Sequence, residues 1–360
     1  MLWSFSRPYP SATCVANRPG IVLDQPSLSL HVPNEREDSE EDMPSLSWGR
    51  GEYDRRFAGC QYEIHKLKRK YIFSIAMDIV SSPLQYSGHR WTEHSKLVID
   101  AGHVTDVSAL FVADPFFYRH TDGEIFLFYE TWDNTLGRGI ISVSVSLDNG
   151  ESWEFGGTAL VEPFHLSYPY IFVDPNSLGS VYMIPDTHAV NDIRLYRPVP
   201  GSKFPYSWEV DTTLLSGLNY VDASLSYVAP NYYLWTSVNH AEQCKLYVSK
   251  SLRGPYVEHP LSPVSTGPKI SRMGGRIMVD GSSIYRFAQD ASYLYGLFLR
   301  AMEVTELSDT TYREIEVNHN PVGLPSGDSW ARCGTHHVDL LPLNETHYLR
   351  VIDTINYIDP

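Results

Sequence analysis

From position 71 to the C-terminus, apolar residues come in short runs that alternate with polar positions and are bounded by Gly, Pro, Asn and Asp. Patterns with a helical period are scarce. Five of the runs are rich in aromatic and β-branched residues: 124–130 (EIFLFYE), 180–186 (SVYMIPD), 232–237 (YYLWTS), 283–290 (SIYRFAQD) and 347–353 (HYLRVID). Their last residues lie 56, 51, 53 and 63 positions apart. About 14 to 18 residues before each run end stands a short motif: Ala113-Asp114-Pro115, Tyr168-Pro169-Tyr170, Val221-Asp222-Ala223, Gly274-Gly275-Arg276 and His336-His337-Val338-Asp339.

A repeat of 50 to 60 residues made of short strands is a propeller blade, and five copies predict an all-β, five-bladed β-propeller. Ser146-Leu147-Asp148-Asn149-Gly150-Glu151-Ser152-Trp153 fits the S-x-D-x-G-x-x-W Asp box, a hairpin common on such blades, with a structural role. The fifth repeat is cut short after Asp353. The run 71–80 (YIFSIAMDIV) belongs to no other repeat and is expected to supply an outer strand of the last blade. Closing the ring in this way removes a free sheet edge.

The first 50 residues read differently. Six prolines and the run 35–42, with six acids and one Arg, cannot bury enough apolar surface to offset their ordering entropy. The expected organisation is a disordered acidic, Pro-rich tail over 1–60 and the propeller over 61–360. The chain carries 28 Lys and Arg against 43 Asp and Glu, a formal charge of -15, which argues against a nucleic-acid binder. No run reaches the ~20 apolar residues of a membrane-spanning helix. No signal peptide is expected at the N-terminus. The four cysteines (Cys14, Cys60, Cys244, Cys333) stand far apart and form no CxxC.

In a propeller the start of each inner strand and the end of the next strand meet at one mouth. That geometry gathers Asp114, Tyr168, Asp222, Arg276 and His337 from the first set, and Glu130, Asp186, Ser237, Asp290 and Asp353 from the second. Acids crowded into one funnel repel, which raises some pKa values and makes general acid and base roles available. Asp114 and Asp222 are the catalytic candidates. Glu130, Tyr168, Asp186, Arg276, Asp290 and His337 are the substrate-binding candidates. Each has a plainer alternative: strand caps for the acids, a hydrogen-bond anchor for Asp222, a buried ion pair for Arg276. His336, His337 and Asp339 have a metal-like composition but too few ligands, and no metal or other cofactor is expected. No nucleophile elbow, P-loop, dinucleotide fingerprint, HExxH or Asp-x-Asp of a metal-dependent sugar transferase is present in the repeat region.

With those motifs, the stretches 106–116, 167–172, 182–185, 254–260, 285–290 and 334–337 closely resemble one family. It is the N-terminal propeller domain of plant glucosamine inositolphosphorylceramide transferase, with its bacterial relatives. The likeness runs from about position 71 to the C-terminus. That propeller is in turn similar to glycoside hydrolase family 43, where one Asp is the general base, a second tunes it and a Glu is the acid. The resemblance implies that Asp114 matches the base and Asp222 an acidic position two blades on. Pro185-Asp186-Thr187 stands where relatives usually have Pro-Glu-Thr, and no Glu marks the acid in the later blades. In the plant enzyme a C-terminal glycosyltransferase domain transfers the sugar to the sphingolipid; neither that domain nor the membrane anchor is expected in this chain.

The leading function is therefore a carbohydrate-active propeller that binds a glycosyl group in its funnel and processes it, by transfer or hydrolysis. Single displacement with Asp114 as base is expected. A carboxyl separation of roughly 6.5–9.5 Å would suit inversion and roughly 5–5.5 Å retention. The alternative is a non-catalytic sugar-binding module serving a separate glycosyltransferase, with its acids tied up in salt bridges and aromatics at the mouth. A protein-interaction scaffold would instead need an exposed apolar patch. The expected partner is a glycan or glycolipid, with no nucleic acid and no transmembrane segment. Localisation is left open, the Golgi being suggested by the resemblance alone.

Overall fold

The computed structural model describes residues 70–358, apart from 83, 85–95, 178, 240–241, 293–294, 297, 319, 324–330 and 332. The expected tail over 1–60 lies outside the described residues. In chain order the strands are β1 (Lys70–Val80), β2 (Lys96–Ile99), β3 (Ala109–Arg119), β4 (Ile125–Asp133), β5 (Arg138–Ser146), β6 (Glu154–Leu160), β7 (Ser167–Val173), β8 (Val181–Asp186), β9 (Asp192–Pro198) and β10 (Trp208–Ser216). They continue as β11 (Tyr220–Val228), β12 (Asn231–Val238), β13 (Gln243–Ser249), β14 (Val257–Glu258), β15 (Ser265–Thr266), β16 (Arg272–Met273) and β17 (Met278–Asp280). The last are β18 (Ser283–Asp290), β19 (Phe298–Leu307), β20 (Tyr312–Glu316), β21 (Val338–Pro342) and β22 (Tyr348–Ile358).

These strands form five antiparallel sheets, the blades of a β-propeller. Blade I is β3 to β6, blade II β7 to β10, and blade III β11 to β14 with β15 on β13. Blade IV is β16 and β17 on β18, then β19 and β20. Blade V runs β21, β22, β1, β2 from inside out. The ring is thus closed by an N-terminal strand, as the sequence predicts. β1 pairs with β22 along all of Lys70 to Val80. β2, which the repeat pattern does not mark, adds the outermost strand. Among the described residues no helix is long and apolar enough to cross a membrane.

Alternation along the strands sets the packing. Phe116, Phe128, Ile141, Tyr196 and Trp235 are fully buried between the blades, in a core that runs from blade I to blade IV. Ile75, Ile99, Leu127 and Val351 seal blade V against blade I. In the Ser146-to-Trp153 turn, the Asp148 carboxylate accepts hydrogen bonds from the Ser146 hydroxyl (2.8 Å) and the Ser152 N–H (2.9 Å). The indole N–H of Trp153 donates to the Gly150 carbonyl. Cys244 is a buried free thiol, whereas Cys333 is disulfide-bonded.

Blade IV departs from the regular repeat: its inner strand is split, with Gly274 to Ile277 in the gap between β16 and β17. Gly275 has φ +145°, and its backbone passes so close to blade V that a Cβ would lie 2.0 Å from the Val338 carbonyl oxygen. Its N–H donates to the Tyr168 hydroxyl, and its carbonyl accepts from both Tyr168 and Ser224. One glycine therefore joins blades II, III, IV and V. Gly275→Ala should lower the unfolding free energy by about 4 kcal/mol through backbone strain and the clash, as read from urea denaturation.

Candidate functional site

Asp114, Tyr168 and Asp222 stand 54 residues apart on the inner strands of blades I to III, and all three have left-handed backbone, with φ of 52°, 45° and 52°. Each sits where the pairing with the second strand slips: between Ala113 and Phe116, Ser167 and Tyr170, and Val221 and Ser224. Left-handed backbone costs a non-glycine residue on the order of 1 kcal/mol, so three repeats of it need compensation. The compensation is visible. Each bulge turns a peptide N–H toward a carboxylate: Asp114 N–H to Asp353 Oδ2 (3.2 Å), Tyr168 N–H to Asp114 Oδ2 (3.3 Å), and Asp222 N–H to Asp186 Oδ2 (3.1 Å).

Most of the acids gathered here are engaged by a cation. Asp353 accepts the His336 and His337 backbone N–H groups (3.1 Å each), and its Oδ2 is 2.6 Å from His336 Nδ1. Burial opposes ionisation of Asp353, but the His336 charge and hydrogen bond hold its carboxyl below the ordinary carboxylate value. Asp186 is held below it in the same way, against burial, by His188 Nδ1 at 2.7 Å. Asp290 pairs with Arg300 at 2.7 Å. Asp222 Oδ2 accepts from Arg272 Nε (2.7 Å) and Gln289 Nε2 (3.1 Å), yet burial and then Asp186 still leave its pKa raised.

Two acids are different. Glu130 occupies in blade I the place that Asp186 holds in blade II, but the N–H it would accept, that of Tyr168, goes to Asp114 instead. The imidazole of His165 lies beside Glu130, its Nε2 3.7 Å from Oε1. The Gly139 N–H donates to His165 Nδ1, so the proton of the neutral ring sits on Nε2, facing Glu130. Burial pushes the His165 pKa down to about 4, which keeps the ring neutral. With no cation beside it, Glu130 has its pKa raised well above the ordinary value, by burial first and then by Asp114 and Asp186. Asp114 is pushed up to about 7 by burial, partly offset by His336, whose Nε2 is 3.9 Å away. Both side chains keep 8% of their surface exposed. Asp186, Asp222, Asp290 and Asp353 keep 3% or less. The two most exposed carboxyls of the cluster are thus Asp114, pushed up to about 7, and Glu130, raised well above its ordinary value.

The structure brings Asp114, Glu130, Asp186 and Asp222 together, as the funnel geometry predicts. For Tyr168, Arg276, Asp290 and His337 the side-chain contacts run to the scaffold. Tyr168 is fully buried on Ser224 and Gly275. His337 Nε2 contacts the Pro115 carbonyl at 2.9 Å, and burial drives its pKa down to about 3. Arg276 donates to both oxygens of Asp339 (2.8 and 3.0 Å), to the Ile171 carbonyl and to the Phe117 carbonyl. Ile171 and Phe117 lie three residues beyond Tyr168 and Asp114, about 10 Å further along their strands. Arg276 therefore bolts the ring below the site, which is the ion-pair alternative for this residue.

His165, His188, Arg272 and Gly139 escape the repeat pattern, whereas Gln289 lies within the fourth aligned run. The two histidines and Arg272 line the site from outside the aligned runs. A Cβ on Gly139 would lie 2.6 Å from Glu130 Oε1 and 2.7 Å from His165, so only glycine leaves them room. Donor atoms of Asp114, His336 and Asp353 fall within 4.8 Å of one another, a set that could hold a cation. Within that set burial disfavours a charge on His336, but Asp353 and then Asp114 raise its pKa.

The family described as "Glucosamine inositolphosphorylceramide transferase 1, N-terminal" matches residues 94–354. The chain belongs to this family. Glucosamine inositolphosphorylceramide transferase 1 of Oryza sativa subsp. japonica is 33% identical over 252 residues, which are 68% of this chain and 33% of the rice protein. The Arabidopsis thaliana protein of the same name is 32% identical over the same length, 68% of this chain and 32% of its own. The match spans about a third of the length of these relatives. Among solved structures, an exo-β-1,3-galactanase from Clostridium thermocellum superposes with a TM-score of 0.50 at 17% identity, over 61% of this chain and 51% of that one. That likeness concerns the propeller fold.

Proposed function

We propose that the funnel of this family member binds a glycosyl group and acts on its glycosidic bond, with Asp114 as general base and Glu130 as general acid. The observation that carries the reading is the contrast among the acids. Four are paired with basic side chains, while the two that keep the most exposure both have their carboxyl pKa values raised by burial, surroundings in which neighbouring carboxyls can divide acid and base roles. In a single displacement Asp114 accepts the proton of an attacking water or acceptor hydroxyl as its oxygen bonds to the anomeric carbon. Glu130 gives its proton to the departing glycosidic oxygen. Asp222, held by Arg272 and Gln289, keeps the potential around Asp114 negative and so tunes the base. The names of the plant relatives support a sugar as the bound group.

A second reading is a sugar-binding platform that serves a separate glycosyltransferase. The salt bridges through the acidic ring favour it. Turnover of a panel of aryl glycosides and glycolipid head groups separates the two. Catalysis requires Asp114 ionised and Glu130 protonated, so kcat/KM should rise as Asp114 ionises near pH 7 and fall as Glu130, whose pKa burial raises, gives up its proton. In Glu130→Gln the alkaline fall should vanish, with kcat reduced about 100-fold or more for poor leaving groups and far less for nitrophenyl ones. Binding without turnover of any member of the panel would make the chain a recognition module.

A further inference from the structure

We propose that Trp132, with Phe111 and His165 on either side of it, forms a sugar-stacking subsite for the pyranose ring next to the bond acted on at Asp114 and Glu130. The place of that bond rests on the function proposed above; the subsite itself rests on the aromatic groups at the funnel. A continuous arc of rings borders the acids: Tyr295, Phe73, Phe111, Trp132, His165 and His188, with successive centroids 6.4, 5.5, 5.8, 5.9 and 5.6 Å apart. It passes from blade IV across blade V and blade I to blade II. Trp132 is partly exposed, although its strand neighbours Thr131 and Asp133 are buried.

Strand geometry places Trp132 beside the chemistry. Glu130 and Trp132 are two apart on β4, so their side chains leave the same face, about 7 Å apart along the strand. The residue paired with Trp132 on β5 is Gly139, which adds no side chain beside the indole and lets His165 and Glu130 approach. The platform is fixed in place. Phe111 lies against the indole at an interplanar angle of 27°, and His165 is anchored by the Gly139 N–H. A flat, rigid, partly wet indole matches the apolar C–H face of a pyranose while the sugar hydroxyls stay in water or on the acids. A sugar whose linkage oxygen lies at Glu130 puts its neighbouring ring over Trp132.

Saturation-transfer NMR and calorimetry with methyl β-D-glucopyranoside, cellobiose, lactose and mannobiose test the proposal on the full chain. Wild type should bind at least one disaccharide about tenfold more tightly than the monosaccharide, the factor that one stacked ring supplies. Trp132→Ala should bind the two alike, and Trp132→Phe should restore most of the preference, with thermal melting to show that both variants are folded. Glu130→Gln should lose turnover but keep the disaccharide preference, since stacking does not depend on the proton. An unchanged preference in folded Trp132→Ala overturns the subsite and leaves the acid–base reading standing. Wild-type protein that binds none of these sugars overturns the subsite together with the sugar reading beneath it.

Discussion

Asp114→Asn should lower turnover by at least about 1,000-fold while leaving sugar affinity within about threefold, because the amide keeps the shape of the carboxyl and cannot accept a proton. The same substitution should stabilise the fold at alkaline pH. The Asp114 pKa is raised, from an ordinary value near 3.8 to about 7, chiefly by burial. A raised acid contributes full stability while it is protonated in both states, and that stability is lost as pH rises from about 4 through about 7. Wild type therefore bears the cost of a buried charge at pH 8, and Asp114→Asn does not. The expected gain is on the order of 2–4 kcal/mol at pH 8, shrinking to nothing near pH 4. Urea titrations of both proteins at the two pH values measure it. Loss of turnover with equal stability at pH 4 and pH 8 would mean that Asp114 acts without the burial that makes it a base near neutrality. Turnover retained in Asp114→Asn would remove it from the chemistry altogether.

That coupling explains which parts of the site could be read from the sequence. Blade count, the inner-strand acids and the closing strand were legible, because each follows from period-2 alternation repeated at a fixed spacing. Asp114 and Asp222 stand out by position in the repeat. The distinction between Glu130 and Asp186 did not show: both end a second strand, and only the three-dimensional arrangement reveals that Tyr168 gives its N–H to Asp114 and leaves Glu130 without it. His165 and His188 come from loops whose lengths differ between blades, so no periodicity points to them. Arg272 was hidden because β16 has only two residues and the blade IV inner strand breaks just after it. Arg276 and Tyr168 share the repeat position of the acids but are used to tie the ring together. Trp132 did carry a signal, an aromatic residue two places after an acid on a strand, although the same pattern serves packing elsewhere in the chain.

The proposed chemistry depends on a ring that closes through its first strand, and the largest stability effect is expected there. Ile75→Asp should prevent cooperative folding of the intact chain. Ile75 is fully buried at the middle of β1, facing Asp353 on β22 and Ile99 on β2 in register. A carboxylate there has no cation among the apolar side chains around it, Ile99, Leu127 and Val351, and the lost burial adds to the cost of the unpaired charge. Together these exceed about 5 kcal/mol, comparable to the whole stability of an ordinary domain. Ile79→Asp, four residues on in the same strand but 60% exposed, should shift the melting temperature by no more than about 2 °C. The pair separates closure from strand propensity, since both changes place the same poor strand former in the same strand. If Ile75→Asp melted cooperatively near the wild-type temperature, β1 would be an ornament on blade V. Because β22 carries Asp353, which holds both His336 and the Asp114 backbone, loosening β1 should also disorder the base. A milder variant, Ile75→Ala, should stay folded, lose about 3 kcal/mol, and lose turnover at a temperature below its own melting point.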